Sequence, residues 1–459
     1  MKKILILFGI ILHIFLIIVS NCQQSTSDGG SSSPNHSDSS SNSQVSYIAT
    51  GIFHSAVLFK NGTVKCWGFN DYGQLGYGDT EDRGDEPGEM GSNLPTVDLG
   101  TGRTVKKITA GDNHNIVILD NGTVKCWGDN QFGQLGYGDT IQRGDNSGEM
   151  GDALPIVDLG AGRTAIQIAA GRCHTVVLLD NQTVKCWGLN IYGQLGYGDT
   201  TWRGDNPGEM GNNLLPVDLG TGRTAVQIAA GGDSSFVLLD NGTVKCWGNN
   251  GHGQLGYGDK IDRGDNSGEM GNNLLPVDLG TGRTAIQITA GENFAAVLLD
   301  NGTVKCWGFN GNGQLGYEDN EDRGDEPGEM GGSLPTVNLG LGLNPVQISA
   351  KYRHSMVLFD NGSIKSWGFN EFGSLGYGDT ENRGDDPGEM GNNLFTIDLG
   401  LGLRARKIFT GGYHSIILLD NGTVKCWGDN SYGELGYGDT EDRGNDPGEM
   451  GDNLPVVDL

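Results

Sequence analysis

The feature that most constrains the fold is a tandem repeat with a period of 60 residues. The phrase TVKCWG, followed by GQLGYGDT, recurs seven times with small changes, and its tryptophans are Trp67, Trp127, Trp187, Trp247, Trp307, Trp367 and Trp427. A fixed period of this length is typical of repeat architectures, in which each copy buries its hydrophobic face against the next. We therefore expect residues 45–459 to form one body of seven equivalent units, with these tryptophans in the core between them.

Each unit has the pattern of several short strands. In residues 165–220, AIQIAAG alternates apolar residues before a glycine, HTVVLLD is an apolar run, and TVKCWG follows a turn. That turn is Asp-Asn-Gly in most copies, a strong hairpin signal because both central residues take positive φ. Gln182 replaces the glycine in the third copy, where we expect a strained or shifted turn. The segment LLPVDLG predicts a fourth, proline-marked edge strand.

Four short strands in each of seven copies predict an all-β, seven-bladed β-propeller. A solenoid is the rival architecture, but it would need distinct capping repeats. The sequence ends at Leu459, so the last WG segment lacks the strands that follow every other one. We therefore expect the last blade to be closed by N-terminal and C-terminal strands together, which would remove the open edges of the ring.

Residues 1–44 differ from the repeats. Two lysines precede the apolar run ILILFGIILHIFLIIV, which is short for a membrane span and has the order of an export signal. The following Val19-Ser20-Asn21-Cys22 resembles a bacterial lipobox, which implies a signal peptide at 1–21 and lipid on Cys22. Residues 22–44 are rich in Ser and Gly, and we expect a disordered tether there. These features predict export and lipid anchoring on the cell envelope, at the outer membrane or cell surface; simple secretion or an uncleaved anchor is the alternative.

The repeat resembles a known family. Its order G-x-x-H-S-x-V-L, N-G-T-V-K-C-W-G, N-x-x-G-Q-L-G-x-G-D is similar to the regulator of chromosome condensation repeat over residues 45–459. The resemblance implies a seven-bladed propeller. The eukaryotic namesake acts as a nucleotide exchange factor through a wedge inserted in one blade, and the constant spacing here leaves no room for one. A bacterial member that clasps β-lactamases on one propeller face is the better analogy.

Acidic loops are the strongest candidate for a binding surface. The net charge of −27 argues against nucleic acid, because phosphate binding needs a basic footprint. The first loop reads GDTEDRGDEPGEMG at residues 78–91, and rotational symmetry places all such loops on one face. Calcium binds carboxylate oxygens, although the spacing matches no known calcium motif; the alternative is that arginines pair with the carboxylates and order the loops. The candidate ligand or calcium residues are Asp79, Asp85, Glu89, Asp139, Asp145, Glu149, Asp199, Asp205, Glu209, Asp265, Asp325 and Asp385.

An Arg-Gly-Asp tripeptide recurs in six of these loops. Exposed at a loop tip, such a tripeptide would suit integrin-type adhesion, and repeated copies would add avidity. The candidate residues are Arg83, Gly84 and Asp85, Arg143, Gly144 and Asp145, and Arg203, Gly204 and Asp205, with further copies at residues 263–265, 323–325 and 383–385.

Other conspicuous residues have structural interpretations. The motif histidines His54, His114, His174, His354 and His414 occur once per blade, so we expect buried packing residues and no metal site. Six cysteines at one repeat position are expected to pack as small hydrophobic thiols. A disulfide between Cys173 and Cys186 stays open as a possibility, and Trp202 is a candidate contact residue outside the motif.

Taken together, the sequence predicts a monomeric, envelope-anchored and non-catalytic binding module. Its partner would be a protein or surface ligand, cationic or contacting the acidic loops, and no cofactor other than calcium is considered. Cell adhesion through the Arg-Gly-Asp loops and a propeller enzyme acting on extracellular polysaccharide are the alternatives. No catalytic residues are predicted, because acids that recur in every blade are poor catalytic candidates.

Overall fold

Residues 44–459 are described by the computed structural model, and they form seven antiparallel sheets of three consecutive strands. The predicted signal peptide, Cys22 and nearly all of the predicted tether lie outside the described residues. We number the sheets as blades 1 to 7. Their strands are β1 Val45–Thr50, β2 His54–Phe59, β3 Val64–Gly68; β4 Val105–Ala110, β5 His114–Leu119, β6 Val124–Gly128; β7 Ala165–Ala170, β8 His174–Leu179, β9 Val184–Gly188; β10 Ala225–Ala230, β11 Ser234–Leu239, β12 Val244–Gly248; β13 Ala285–Ala290, β14 Phe294–Leu299, β15 Val304–Gly308; β16 Pro345–Lys351, β17 His354–Phe359, β18 Ile364–Gly368; β19 Ala405–Thr410, β20 His414–Leu419 and β21 Val424–Gly428.

The prediction of an all-β protein with seven blades is confirmed. In every blade the order of strands in the sheet follows the order in the chain, as two successive hairpins dictate. The tight turn before β3 requires positive φ, which Gly62 adopts at 82°. Gln182 takes a φ of 66° at the equivalent place in blade 3, a conformation that costs a non-glycine residue about 1 kcal/mol.

The predicted fourth strand is wrong. The segment after the acidic loop joins the third strand through one backbone hydrogen bond, from the Val97 amide to the Val64 carbonyl at 2.9 Å, and the bond recurs in every blade. A proline such as Pro95 stands in this segment in most copies and removes a donor from the pairing. A single bond leaves the segment extended at the edge of the sheet without making it a strand.

The two ends of the propeller meet by packing. Ile48, Phe59 and Trp67 of blade 1 share one apolar cluster with Ile416 and Leu418 of blade 7. The Gly91 amide also donates to the Asp458 carbonyl at 3.1 Å. The expected last blade made from both ends of the chain is therefore not observed, because β19, β20 and β21 form their sheet without an N-terminal strand. The repeat unit begins with the first strand at residue 45, so each blade is complete in itself.

The core lies between neighbouring blades. All seven repeat tryptophans are buried, and each indole donates to a backbone carbonyl of the preceding blade, as from Trp127 to Gln74 at 2.9 Å. Trp67 makes the same contact with Glu434 of blade 7 across the junction, also at 2.9 Å. Each apolar cluster accordingly combines two adjacent blades. Among residues 44–459, no helix has the length and apolar character needed to cross a membrane.

Candidate functional site

The strand register assigns every loop to one of two faces of the ring. Thr50 pairs with Ser55 and His54 with Gly68, so the turn at 51–53 and the start of the acidic loop lie at the same end of the sheet. We call this end the loop face. The hairpin turn at 60–63 and the link at 100–104 lie at the other end, which we call the hairpin face; there the Val105 amide donates to the Gly62 carbonyl at 2.9 Å.

Arginines in the acidic loops bind their own loop. Arg83 forms a salt bridge with Asp79 at 2.8 Å and donates to the Glu81 carbonyl at 2.8 Å. Its guanidinium also lies 5.9 Å from the ring centroid of Tyr77. The same ion pair occurs in all seven blades at 2.6–2.8 Å, formed by Arg143 and Asp139, Arg203 and Asp199, Arg263 and Asp259, Arg323 and Asp319, Arg383 and Asp379, and Arg443 and Asp439. This arrangement corresponds to loops ordered by internal ion pairs.

The Arg-Gly-Asp tripeptides lie against the neighbouring blade. Gly84 is buried, and a side-chain carbon there would approach the Gly433 carbonyl to 2.7 Å. Burial raises the pKa of Asp85, as does the adjacent Glu89, whose carboxylate accepts the Gly84 amide at 2.8 Å. The expectation of a tripeptide exposed at a loop tip is therefore wrong. Its glycine occupies a close approach between blades, and the glycine is buried in the other copies as well.

Some of the candidate calcium residues make these internal contacts, while a buried Oδ1 atom has no hydrogen-bond partner in Asp85, Asp145, Asp205, Asp265 and Asp385. Asp79 and its equivalents bind arginine, while Glu89, Glu149 and Glu209 accept backbone amides of their own loops. Within residues 44–459, no group of three or more His, Cys, Asp or Glu side chains is placed to hold a metal ion. The described residues therefore form no cluster of side-chain ligands for calcium at these loops.

The motif histidines join neighbouring blades. His174 Nε2 lies 3.0 Å from Ser235 Oγ, and His414 Nε2 lies 3.1 Å from Ser55 Oγ across the junction of the two chain ends. Burial lowers the pKa of both imidazoles to about 3. These rings are therefore neutral near pH 7 and act as fixed hydrogen-bonding links inside the propeller.

The first strands of the blades line a central channel with a cavity of about 270 Å³. At the loop face, backbone hydrogen bonds join the turns of adjacent blades, for example from the Arg172 amide to the Gly232 carbonyl at 2.9 Å. Lys351 stands where the six other blades have glycine. Its ammonium crosses the channel mouth to the Thr50 carbonyl and, at 3.1 Å, to the Ala110 carbonyl.

Lys351 requires a different turn from that of the other blades. A side-chain carbon at the equivalent Gly51 would lie 2.0 Å from the His54 ring, so the lysine cannot take the glycine conformation. The strand is one residue longer instead, and Tyr352 takes a φ of 52°. Strain of this kind tends to cluster at functional sites. The surface around this turn is therefore a candidate functional site.

Charged residues surround the mouth on the side of blades 2 to 6. Arg172 pairs with Asp233, and Arg353 Nε lies 3.6 Å from Glu292. Burial raises the pKa of Asp112 to about 6, against the opposing effect of Lys351. Burial also lowers the pKa of Lys351 to about 8. The opposite charges in this sector largely satisfy one another.

Aromatic side chains occupy the other side of the loop face. The rings of Phe69 and Tyr432 are 4.8 Å apart, those of Tyr352 and Tyr413 are 4.7 Å apart, and Tyr432 is 36% exposed. The other members are partly exposed as well. We call this surface the aromatic crescent; it spans blades 6, 7 and 1 and consists of Phe53, Phe69, Tyr72, Tyr352, Phe369, Phe372, Tyr413 and Tyr432.

The aromatic crescent breaks the repeat. Phe53 and Tyr413 correspond to Asn113 and Asn293 in other blades, and Tyr432 corresponds to Asn312. None of these aromatic residues was singled out by the sequence reasoning. Comparison of residues at the same position in successive copies would have found Phe53, Tyr352 and Tyr413, because blades 2 to 5 carry no aromatic residue at those positions. The position of Tyr432 is also aromatic at Phe132 and Tyr192, so this comparison would not have found it.

Three residues singled out from the sequence lie outside this surface. Trp202 is half-buried, and its ring packs edge-on at 5.0 Å from that of Phe132 in the preceding blade. Cys173 and Cys186 are both free, so the possible disulfide is not formed. Cys186 pairs across the hairpin with Val176, while Cys173 lies beyond the last pair of that ladder.

Comparison with known proteins identifies the family of this chain. A sequence profile described as the RCC1-like domain matches residues 20–403, and one described as the regulator of chromosome condensation (RCC1) repeat matches residues 405–434. The chain belongs to the RCC1-like family. As an RCC1-like protein it is 28% identical to the ultraviolet-B receptor UVR8 of Arabidopsis thaliana over 411 residues, which cover 87% of this chain and 80% of UVR8.

Other RCC1-like proteins match over different lengths. The probable E3 ubiquitin-protein ligase HERC4 of Homo sapiens is 29% identical over 406 residues, and the match covers 76% of this chain but 35% of HERC4. The crystal structure of human WBSCR16 superposes with a TM-score of 0.63 at 20% identity, covering 86% of this chain and 94% of that one. Yeast RCC1 bound to Kap60 gives a TM-score of 0.61 at 20% identity, with 93% and 90% covered. At these identities the solved structures support the fold alone.

Proposed function

We propose that this RCC1-like chain is a non-catalytic module that binds a protein partner through the aromatic crescent and is held on the cell envelope by lipid on Cys22. The carrying observation is the departure of the crescent from sevenfold symmetry on an otherwise repeated loop face. Core positions are repeated because every blade packs in the same way. Phe53, Tyr352 and Tyr413 stand at positions where blades 2 to 5 carry no aromatic residue, so blade packing does not require them.

The chemistry of the aromatic crescent suits a protein interface. Tyrosine and phenylalanine bury a large area on association and are enriched at the centres of interfaces. Asp71, Glu371 and Glu441 are exposed in the same blades. Arginine or lysine on a partner would find ring faces and carboxylates together. The net charge of −27 would also accelerate encounter with a cationic partner.

Relatives support a protein partner in general terms. The yeast RCC1 structure contains bound Kap60, and the yeast protein Prp20p is described as binding Gsp1p and histones. Kap60, Gsp1p and histones are partners of the yeast proteins and are not assigned to this chain. HERC4 is named a ubiquitin ligase, but this chain covers 35% of its length, so that activity is not proposed here. Integrin-type adhesion is not favoured either, because Arg83 and Asp85 are engaged within their own loop.

The chain supplies its own design for a test. The triple variant Phe53→Asn, Tyr413→Asn and Tyr432→Asn introduces residues that other blades carry at these positions, so the fold should tolerate them. The matched control is Phe132→Asn with Phe309→Asn, at equivalent positions outside the crescent. Partners cross-linked to the full chain in envelope and host extracts would be identified, and their affinities for the variants measured by calorimetry.

We expect the triple variant to lose about 100-fold or more in affinity, because aromatic hot spots each contribute about 2 kcal/mol. The control should stay within about threefold of the wild type. Equal losses of affinity in both variants, or the recovery of no saturable partner, would contradict the proposal. Lipid anchoring is tested separately: Cys22→Ser should abolish incorporation of labelled fatty acid, and undiminished incorporation would remove the anchor from the account.

A further inference from the structure

The hairpin face has its own departure from symmetry. In blades 2 to 5 its arginines are matched one to one with aspartates, as Arg103 with Asp120 at 3.2 Å and Arg283 with Asp300 at 3.3 Å. Lys60 of blade 1 instead replaces the aspartate that all six other copies carry before the hairpin turn. The balance of charge is therefore lost next to blade 1.

Additional basic residues flank Lys60 on both sides. Lys106 of blade 2 and Arg406 of blade 7 occupy a position that is aliphatic in blades 3 to 6, and both are exposed. Arg404 is exposed as well, in the link before blade 7. Lys107 and Lys407 follow in the same strands, where Lys407 lies 4.7 Å from the ring centroid of Tyr47. Cations thus concentrate on one sector of a chain whose net charge is −27.

Exposed leucines accompany these cations. Leu341 and Leu401 are 87% and 91% exposed at the tips of the links that precede blades 6 and 7. Thr101, Thr221 and Thr281 hold the same position in other copies. A leucine this exposed contributes almost nothing to the core, and grouped exposed apolar residues mark interaction surfaces.

The described chain begins in this sector. The Lys60 amide donates to the Gln44 carbonyl at 2.9 Å, and Gln44 also approaches the hairpin turn of blade 7 at Gly422. Gln44, the first described residue, therefore lies at the hairpin face, between blades 7 and 1. The predicted lipid attachment at Cys22 lies 22 residues earlier in the chain.

We infer that the basic sector, defined as Lys60, Lys106, Leu341, Leu401, Arg404 and Arg406, lies against the anionic phospholipid headgroups of the membrane that carries the anchor. This inference rests on the proposed function for the anchor and adds the orientation of the folded body. Basic side chains bind lipid phosphates, while leucines insert at the boundary of the acyl chains. A chain with 57 acidic residues is repelled by an anionic surface unless such a sector faces it. The loop face then points away from the membrane.

The test uses the full lipidated chain in vesicles of phosphatidylcholine, with or without phosphatidylglycerol, and hydrogen exchange resolved by peptide. We expect phosphatidylglycerol to slow exchange in the links at residues 100–107, 340–347 and 400–407, with no change in the loop-face turns. Molar salt should abolish the effect, because it shortens the range of these attractions to about 3 Å. If the lipid anchor is absent, the protein will not be recovered with either kind of vesicle. This result differs from anchored protein without protection of the basic sector.

Matched variants assign the effect to the basic sector. Lys106→Gln, Arg404→Gln and Arg406→Gln together should lower the ratio of membrane-facing to free orientations, by about fivefold for each charge removed. The control Arg163→Gln, Arg223→Gln and Arg283→Gln makes the same change in net charge on the same face and should keep the protection. Leu341→Thr with Leu401→Thr should weaken the protection at low salt. Three results would overturn the inference: protection that does not depend on phosphatidylglycerol, protection of the loop-face turns, or an equal loss of protection in the control variant. Protection that arises only when a protein extract is added would overturn it as well.

Discussion

The loop face and the hairpin face carry different exceptions to the same repeat. On the loop face, blades 1, 6 and 7 carry Phe53, Tyr352 and Tyr413 of the aromatic crescent where blades 2 to 5 have no aromatic residue. On the hairpin face, blades 7, 1 and 2 carry cations at positions where blades 3 to 5 have none, and exposed leucines precede blades 6 and 7. Because all blades share one core, the positions where they differ hold the information about function. The contrast suggests a module with one face for a partner and one for a surface.

The largest expected effect comes from breaking the core that both faces share. Trp127→Ala removes a buried indole and its hydrogen bond to the Gln74 carbonyl. We expect the free energy of unfolding to fall by about 3–5 kcal/mol. Denaturant unfolding followed by circular dichroism measures this. Loss of partner binding without loss of stability would mean that the tryptophan belongs to a binding site and not to the core.

The second prediction concerns the buried side chain of Glu434 and its effect on stability. It is buried where five other blades have glutamine, and burial, with nearby Asp429, raises the pKa of its carboxyl well above the usual range. The folded state therefore holds the proton, so the stabilising contribution is complete below about pH 4.3 and is lost as pH rises through the folded pKa. We expect Glu434→Gln to raise stability at pH 8 by about 1–3 kcal/mol and leave stability at pH 4 unchanged.

The measurement for Glu434 is a series of unfolding curves between pH 4 and 8 for both proteins. The difference between variant and wild type should grow with pH. A constant difference would show that the carboxyl is ionised throughout or hydrogen-bonded in a way that the structure does not contain.

A smaller effect is expected at the acidic loops. Arg203→Lys keeps the charge but cannot reproduce the planar contacts with Asp199 and the Tyr197 ring. Because the pair is only partly buried, we expect a loss of about 0.5–1 kcal/mol in stability and no change in partner affinity. Calorimetry of unfolding and of binding distinguishes the two. A large loss of partner affinity with unchanged stability would show that the Arg-Gly-Asp loops form part of the binding site.

The period of 60 residues was enough to predict the propeller, because a repeated apolar pattern can be buried only between equivalent neighbours. It did not predict that the segment around Val97 would make a single bond to β3, since proline and edge position decide that pairing. The exposure of Gly84 was predicted wrongly, because contacts between blades are invisible within one copy. The aromatic crescent was missed because Phe53 and Tyr413 become neighbours only when the ring closes.

The central claim is that the aromatic crescent contacts the partner. The most direct measurement places a photoreactive phenylalanine analogue at Tyr432, or at Phe132, which holds the same repeat position in blade 2. The full chain, bearing one analogue at a time, is irradiated in its native envelope. We expect cross-links to a discrete protein from Tyr432 and none from Phe132. Equal cross-linking from both positions, or from Phe132 alone, would contradict the account.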